Sequence, residues 1–160
     1  MIDERHMNRP GGIPAFDENG NLPPGVYHVS LAEIERRFAW NDARRALFNG
    51  LRRALANLAR AGIRRVWIDG SFVTAREEPG DVDGCWEYAP ELDFEALDPV
   101  LYDLTPPRRP MKRKYGVDFL IAGMPVIAMG PEDVLIQEFF QFDRRHRPKG
   151  ILVVDLGDPR

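Results

Sequence analysis

An aspartate lies in the middle of one of the most apolar stretches of this chain, and that placement constrains the fold more than any other feature. The segment is "YGVDFLIAG", Tyr115 to Gly123, in which Asp118 is flanked by Val117, Phe119, Leu120 and Ile121. Apolar, β-branched and aromatic residues bounded by glycines predict a buried strand. A carboxylate inside such a strand is costly unless it is paired, hydrogen-bonded or bound to a metal. Lys112, Arg113 and Lys114, just upstream, are candidates for an ion pair. The fold must therefore bring Asp118 a cation, from its own side chains or from solution.

A second acidic feature stands earlier, in "WIDGSFVTAREEPGDVDGCW", Trp67 to Trp86. Here an apolar run ends in Gly70-Ser71, and Asp81 and Asp83 follow with one valine between them. In an extended strand, residues two apart project to the same face, so Asp81 and Asp83 share one side while Val82 takes the other. Carboxylates that close repel unless one holds a proton or a cation lies between them. Read alone, "EEPGDVDG" is an acidic turn, with Pro79-Gly80 and Gly84 as turn formers. With the Asp118 strand placed antiparallel beside it, the three carboxylates converge. Hard cations take oxygen ligands of this kind and keep positions open for phosphates. Two such ions, roughly 3.5–4 Å apart, can clamp a phosphoryl group.

The surrounding chain predicts a single domain of α+β (mixed α/β) class. Residues 1–28, with "RPGGIP" and "NLPPG", read as an extended N-terminal arm, and 29–160 as the domain. Ser30 with Glu33 has capping-box spacing and opens a helix to about Phe38. Asn41 or Asp42 caps a longer helix with an apolar stripe of Ala43, Leu47, Leu51, Leu55 and Leu58, the arginines mostly on other faces. Gly62 ends it. "RRVWID", "DVDGCWEY", "YGVDFLIAG" and "GILVVDL" read as strands, with "MPVIAMG" as a further candidate. A Pro-punctuated connector runs from Ala89 to Pro110, and Pro131-Glu132-Asp133 opens a helix to about Phe142. The basic segment Arg108 to Lys114 reads as a solvated loop or a triphosphate or RNA contact, and Arg144 to Lys149 as cations at a helix C-terminus. Together they could make a nucleic-acid patch, though no aromatic-rich binding face is legible. Asp69 reads as a turn former or a supporting group behind the site, and Trp67 and Trp86 as core.

Composition excludes some functions. The 160 residues carry a net charge of only −3, which gives no global signal for nucleic acid or membrane. The single cysteine, Cys85, permits no internal disulfide and fits a reducing compartment. No apolar run reaches the ~18 residues of a spanning helix, and "MIDERHMNRPGG" lacks a signal-peptide core. A cytoplasmic, bacterial-type protein is expected.

Gly70-Ser71, the Asp81-Val82-Asp83 triplet and the later apolar strand around Asp118 together resemble the nucleotidyltransferase signature of the DNA polymerase beta superfamily. With "FFQFDRRHRPKGILVVDL", the wording looks closer to a bacterial group of short nucleotidyltransferase-like proteins than to the kanamycin-type or antitoxin-type members. The resemblance covers about a third of the chain, Val66 to Ile121. It implies a small mixed or antiparallel sheet with helices packed on it. It also implies that Gly70 and Ser71 hold the phosphates of a nucleoside triphosphate, with Thr74 and Arg76 as further contacts. Asp81, Asp83 and Asp118 would ligate Mg²⁺ or Mn²⁺, and Asp118 would draw the proton from the attacking hydroxyl. The acceptor would be a protein, an RNA end or a small molecule. Two departures stand out: Phe72-Val73 follows Gly-Ser where members often carry a basic residue, and the chain has little room for an extra helical domain. The shortness favours a catalytically inactive relative, an antitoxin-like partner in a two-gene system. The intact carboxylates favour an enzyme. A nucleotide- or metal-binding sensor is the third reading.

Overall fold

The computed structural model describes residues 12–123 and 135–157. The class is α+β: helices pack on an open, five-stranded mixed sheet. The strands are β1 (Val26–His28), β2 (Arg65–Asp69), β3 (Val82–Trp86), β4 (Val117–Ile121) and β5 (Ile151–Asp155). Their spatial order is β1-β5-β2-β3-β4. β5–β2 and β2–β3 pair antiparallel, whereas β1–β5 and β3–β4 pair parallel.

The helices follow their caps. Helix α1 (Leu31–Phe38) begins with a complete capping box, in which the Ser30 hydroxyl accepts from Glu33 N–H and the Glu33 carboxylate accepts from Ser30 N–H. Helix α2 (Asp42–Arg60) is capped by the Asn41 side chain and stops before Gly62, at φ 97°. Its inward face differs from the expected stripe. Ala43 is exposed and Arg44 is buried, and the stripe runs through Phe48, Leu51, Leu55 and Leu58. Arg44 turns inward because a loop of carbonyls waits there, as described below.

The basic segment expected as a solvated loop is helix α3 (Arg109–Tyr115), whose Met111 and Tyr115 are buried. It forms part of the crossover that a parallel β3–β4 pair requires. The Asp118 strand is therefore parallel to its neighbour, not antiparallel as expected from the sequence. Gly50 lets α2 and α3 meet, since a Cβ there would stand 2.0 Å from the Tyr115 carbonyl oxygen. Helix α4 is a single described turn, Ile136–Phe139. The "MPVIAMG" strand candidate and the expected helix start at Pro131 lie outside the described residues.

The end of the N-terminal arm joins the sheet as β1, and Leu22 just before it is fully buried. The core lies on the helical side. Val66, Ile68, Val82, Trp86, Val117, Phe119, Leu152 and Val154 point there, against Ile34, Phe38, Phe48, Leu51, Leu55, Leu58 and Met111. Each large side chain so buried contributes about 1.5–3 kcal/mol. Among the described residues, no helix is long and apolar enough to cross a membrane.

Candidate metal centre

Because strand residues alternate, the residues between the core positions fall on the opposite face of the sheet. The pairing register then aligns three of them. Asp69 on β2 stands opposite Asp83 on β3, and Asp83 stands beside Asp118 on β4. Three carboxylates form a row across three neighbouring strands. Asp81, one residue before β3, joins them from the same side. One oxygen each of Asp81, Asp83 and Asp118 lies within 4.8 Å of the others, and all three residues are half-buried. Like charges directly opposite one another destabilise a sheet unless something balances them.

The two ends of the row are balanced by cations. Lys149 Nζ lies 2.7 Å from Asp69 Oδ1, with side-chain exposures of 10% and 5%. At the other end, Arg108 Nε donates to Asp118 Oδ1 at 2.5 Å, its Nη2 to Oδ2 at 3.4 Å, and Lys112 Nζ lies 3.5 Å from Oδ2. The middle has no such partner. Burial and the neighbouring Asp81, Asp118 and Asp69 charges push the Asp83 carboxyl up to about 7, against the opposing pull of Lys149. Burial, then Asp118, raises Asp81 as well. Burial also raises Asp69, with the Lys149 ammonium opposing it. A shared proton or a bound cation would each relieve this repulsion, and the all-oxygen donor set is of the kind that suits a hard divalent ion.

Gly70-Ser71 follows β2 directly and borders this cluster. Gly70 has φ 80°, and a Cβ there would stand 2.1 Å from Asp83 Oδ2. No other residue fits between the turn and the carboxylate. Ser71–Val73 then form one 3-10 turn. The Ser71 hydroxyl has no hydrogen-bond partner among the described residues and is free to take one. Thr74 and Arg76 serve the loop itself. The Thr74 hydroxyl donates to the Ser71 carbonyl at 2.7 Å and accepts from Arg76 N–H, while the Arg76 side chain is exposed.

The loop is held by Arg44, which is fully buried. Its guanidinium donates to the carbonyls of Phe38, Ser71, Phe72, Thr74 and Arg76, at 2.6 to 3.2 Å. It also stacks on Trp40, 3.6 Å from the ring centroid. Burial lowers its pKa to about 10, so it stays cationic at neutral pH. Five carbonyls gathered on one guanidinium fix the shape of the Gly-Ser turn.

The family described as "Family of unknown function (DUF6932)" matches residues 14–155. The chain belongs to this family. The matched range takes in all five strands and every carboxylate of the row. No curated protein and no solved structure matches the chain.

Three cations of this DUF6932 member do not stand out in its sequence. Lys149 belongs in sequence to the second basic cluster, yet it is buried against Asp69. The apolar "GILVV" that follows it was the available signal, because a lysine entering a buried strand needs an acid. Arg108 stands among basic neighbours in the sequence, and only the fold singles it out. Arg44 could be read only from its burial. The rest of the second basic cluster makes a tight turn, where Asp143 accepts from the Arg145 and Arg147 N–H groups and the Arg147 side chain. Those bonds hold the Asp143 carboxyl down at about 2. Trp86 is core as expected, its indole N–H donating to the Leu101 carbonyl, but Trp67 is only half-buried. Cys85 is buried, with its thiol pushed up to about 12, and is inert.

Proposed function

We propose that this chain is a divalent-cation-dependent, nucleotidyltransferase-like protein. It would transfer a nucleoside monophosphate from a nucleoside triphosphate to a hydroxyl of a protein, an RNA or a small molecule. The observation that carries the reading is the parallel register of β3 and β4, which sets Asp118 beside Asp83, within reach of Asp81 and next to the Gly70-Ser71 turn. Asp81, Asp83 and Asp118 would hold Mg²⁺ or Mn²⁺, which would supply charge neutralisation at the reacting phosphate. The Ser71 hydroxyl and the backbone N–H groups at the start of the 3-10 turn would hold the outer phosphates, kept in place by Arg44. The acceptor hydroxyl would form a bond to the α-phosphorus as the α–β bridging bond breaks, and pyrophosphate would leave. Asp118 would take the hydroxyl proton. A cytoplasmic location belongs to the same reading, supported by the lone, buried Cys85.

A second reading is favoured by one observation. Arg108 and Lys112 already neutralise Asp118, and a charge-balanced cluster has less need of an ion. On that reading the chain is a catalytically inactive binding protein, such as an antitoxin-like partner. The deciding experiment incubates the protein with each α-labelled nucleoside triphosphate, Mn²⁺ or Mg²⁺ and cell extract. Transferase activity predicts a labelled acceptor that is absent with Asp81→Asn. No labelled acceptor with any nucleotide would reject the enzyme in favour of the binding protein.

A further inference from the structure

The two cation partners of the acidic row differ in their freedom to leave. Lys149 is enclosed, whereas Arg108 sits at the mouth of the site, on the residue that leads into α3. Its side chain is 21% exposed. Its backbone is left-handed, at φ 58° and ψ 42°, which an arginine rarely adopts unless its surroundings hold it. Its N–H donates to the Thr105 carbonyl at 2.8 Å, and its side chain forks onto Asp118, with Nε on one oxygen and Nη2 on the other. Both oxygens that could face a cation shared with Asp81 and Asp83 are thereby covered, and Lys112 lies against one of them.

We propose that Arg108 plugs the carboxylate cluster, so that its guanidinium and a divalent cation occupy Asp118 in alternation. The proposal rests on the reading of Asp81, Asp83 and Asp118 as a cation site and adds how that site is regulated. A doubly charged ion bound to Asp118 would stand a few ångströms from the guanidinium, and repulsion at that range in a half-buried site is large. Entry of the ion therefore sends Arg108 outward. The displaced guanidinium is then a cation at the rim of the site, next to the ion. Loading of the site requires a local rearrangement ahead of α3, while the Asp69–Lys149 end stays closed.

The test follows the Arg108 Nε–H resonance of ¹⁵N-labelled full-length protein during addition of Mg²⁺, and measures Mg²⁺ affinity by calorimetry for wild type, Arg108→Gln and Arg109→Gln. Arg109 is the control, because it carries the same charge one residue away, is exposed, and makes no contact with Asp118. The plug predicts that Arg108 Nε–H loses its hydrogen-bonded shift and its protection from solvent as Mg²⁺ binds. It also predicts that Arg108→Gln binds Mg²⁺ about tenfold or more tightly than wild type, with Arg109→Gln little changed. Binding by Arg108→Gln but not by wild type would support it equally. Mg²⁺ binding that leaves the Arg108 resonance in place, or equal tightening by both glutamine variants, would overturn the plug and leave the cation site standing. Absence of binding by wild type and Arg108→Gln alike would overturn both.

Discussion

The Asp69 and Asp118 ends of the acidic row carry the same charge pattern in opposite settings. At Asp69 the partner is a buried lysine two residues before β5. At Asp118 the partner is an arginine on a partly exposed helix entry, backed by a second cation. The first pair is a fixed strut and the second an exchangeable contact. Between them Asp83 has neither, and burial with its acidic neighbours raises its pKa. A sheet can carry a row of like charges only when each is matched, and the way each is matched separates structure from function.

Breaking the fixed pair should have the largest effect. Lys149→Met leaves Asp69 buried and unpaired, which costs about 3–5 kcal/mol. For a chain of this size that lowers the melting temperature by roughly 10 °C, and adding Asp69→Asn should restore much of the loss. A melt within 2 °C of wild type would show that the pair is no strut. Neutralising the middle of the row should act in the opposite direction. Burial and its acidic neighbours push the folded Asp83 carboxyl up to about 7, against about 3.9 in an unfolded chain. The folded state therefore holds the proton more tightly, and stability falls as pH rises from about 4 to about 7. Asp83→Asn removes that loss. In metal-free buffer it should melt several degrees above wild type at pH 8 and converge with it near pH 4. Equal melting at both pH values would mean that Asp83 carries no excess charge burden. The smallest effect belongs to the exchangeable pair. Arg108→Gln should change stability by no more than about 1 kcal/mol, since Lys112 remains and a strained backbone position is relieved only in part. A loss as large as that of Lys149→Met would make the two ends equivalent.

Much of this arrangement was legible in the sequence, for reasons that differ by residue. Caps at Ser30 and Asn41 are local chemistry, so the helix starts followed directly. The strand around Asp118 was visible because its apolar neighbours left no alternative. Strand direction was not visible: β3 and β4 are joined through a Pro-rich connector whose helix α3 is short and strongly basic, and its burial through Met111 and Tyr115 depends on tertiary contact. The face on which Asp69 joins Asp83 and Asp118 depends on register, which only pairing fixes. Arg44 resembled the arginines around it, because the carbonyls that draw it inward come from a loop about thirty residues later. The site carboxylates could be named from spacing, while their counter-ions required the fold.

The central claim is that the clustered carboxylates form a divalent-cation site, and binding of Mg²⁺ tests it most directly. Calorimetric titration of metal-free protein at pH 7.5 should show saturable binding by wild type, with protons released as Asp83 ionises. Asp83→Asn should show no binding under the same conditions. Undetectable binding by wild type and Arg108→Gln, or equal affinity in wild type and Asp83→Asn, would contradict the account.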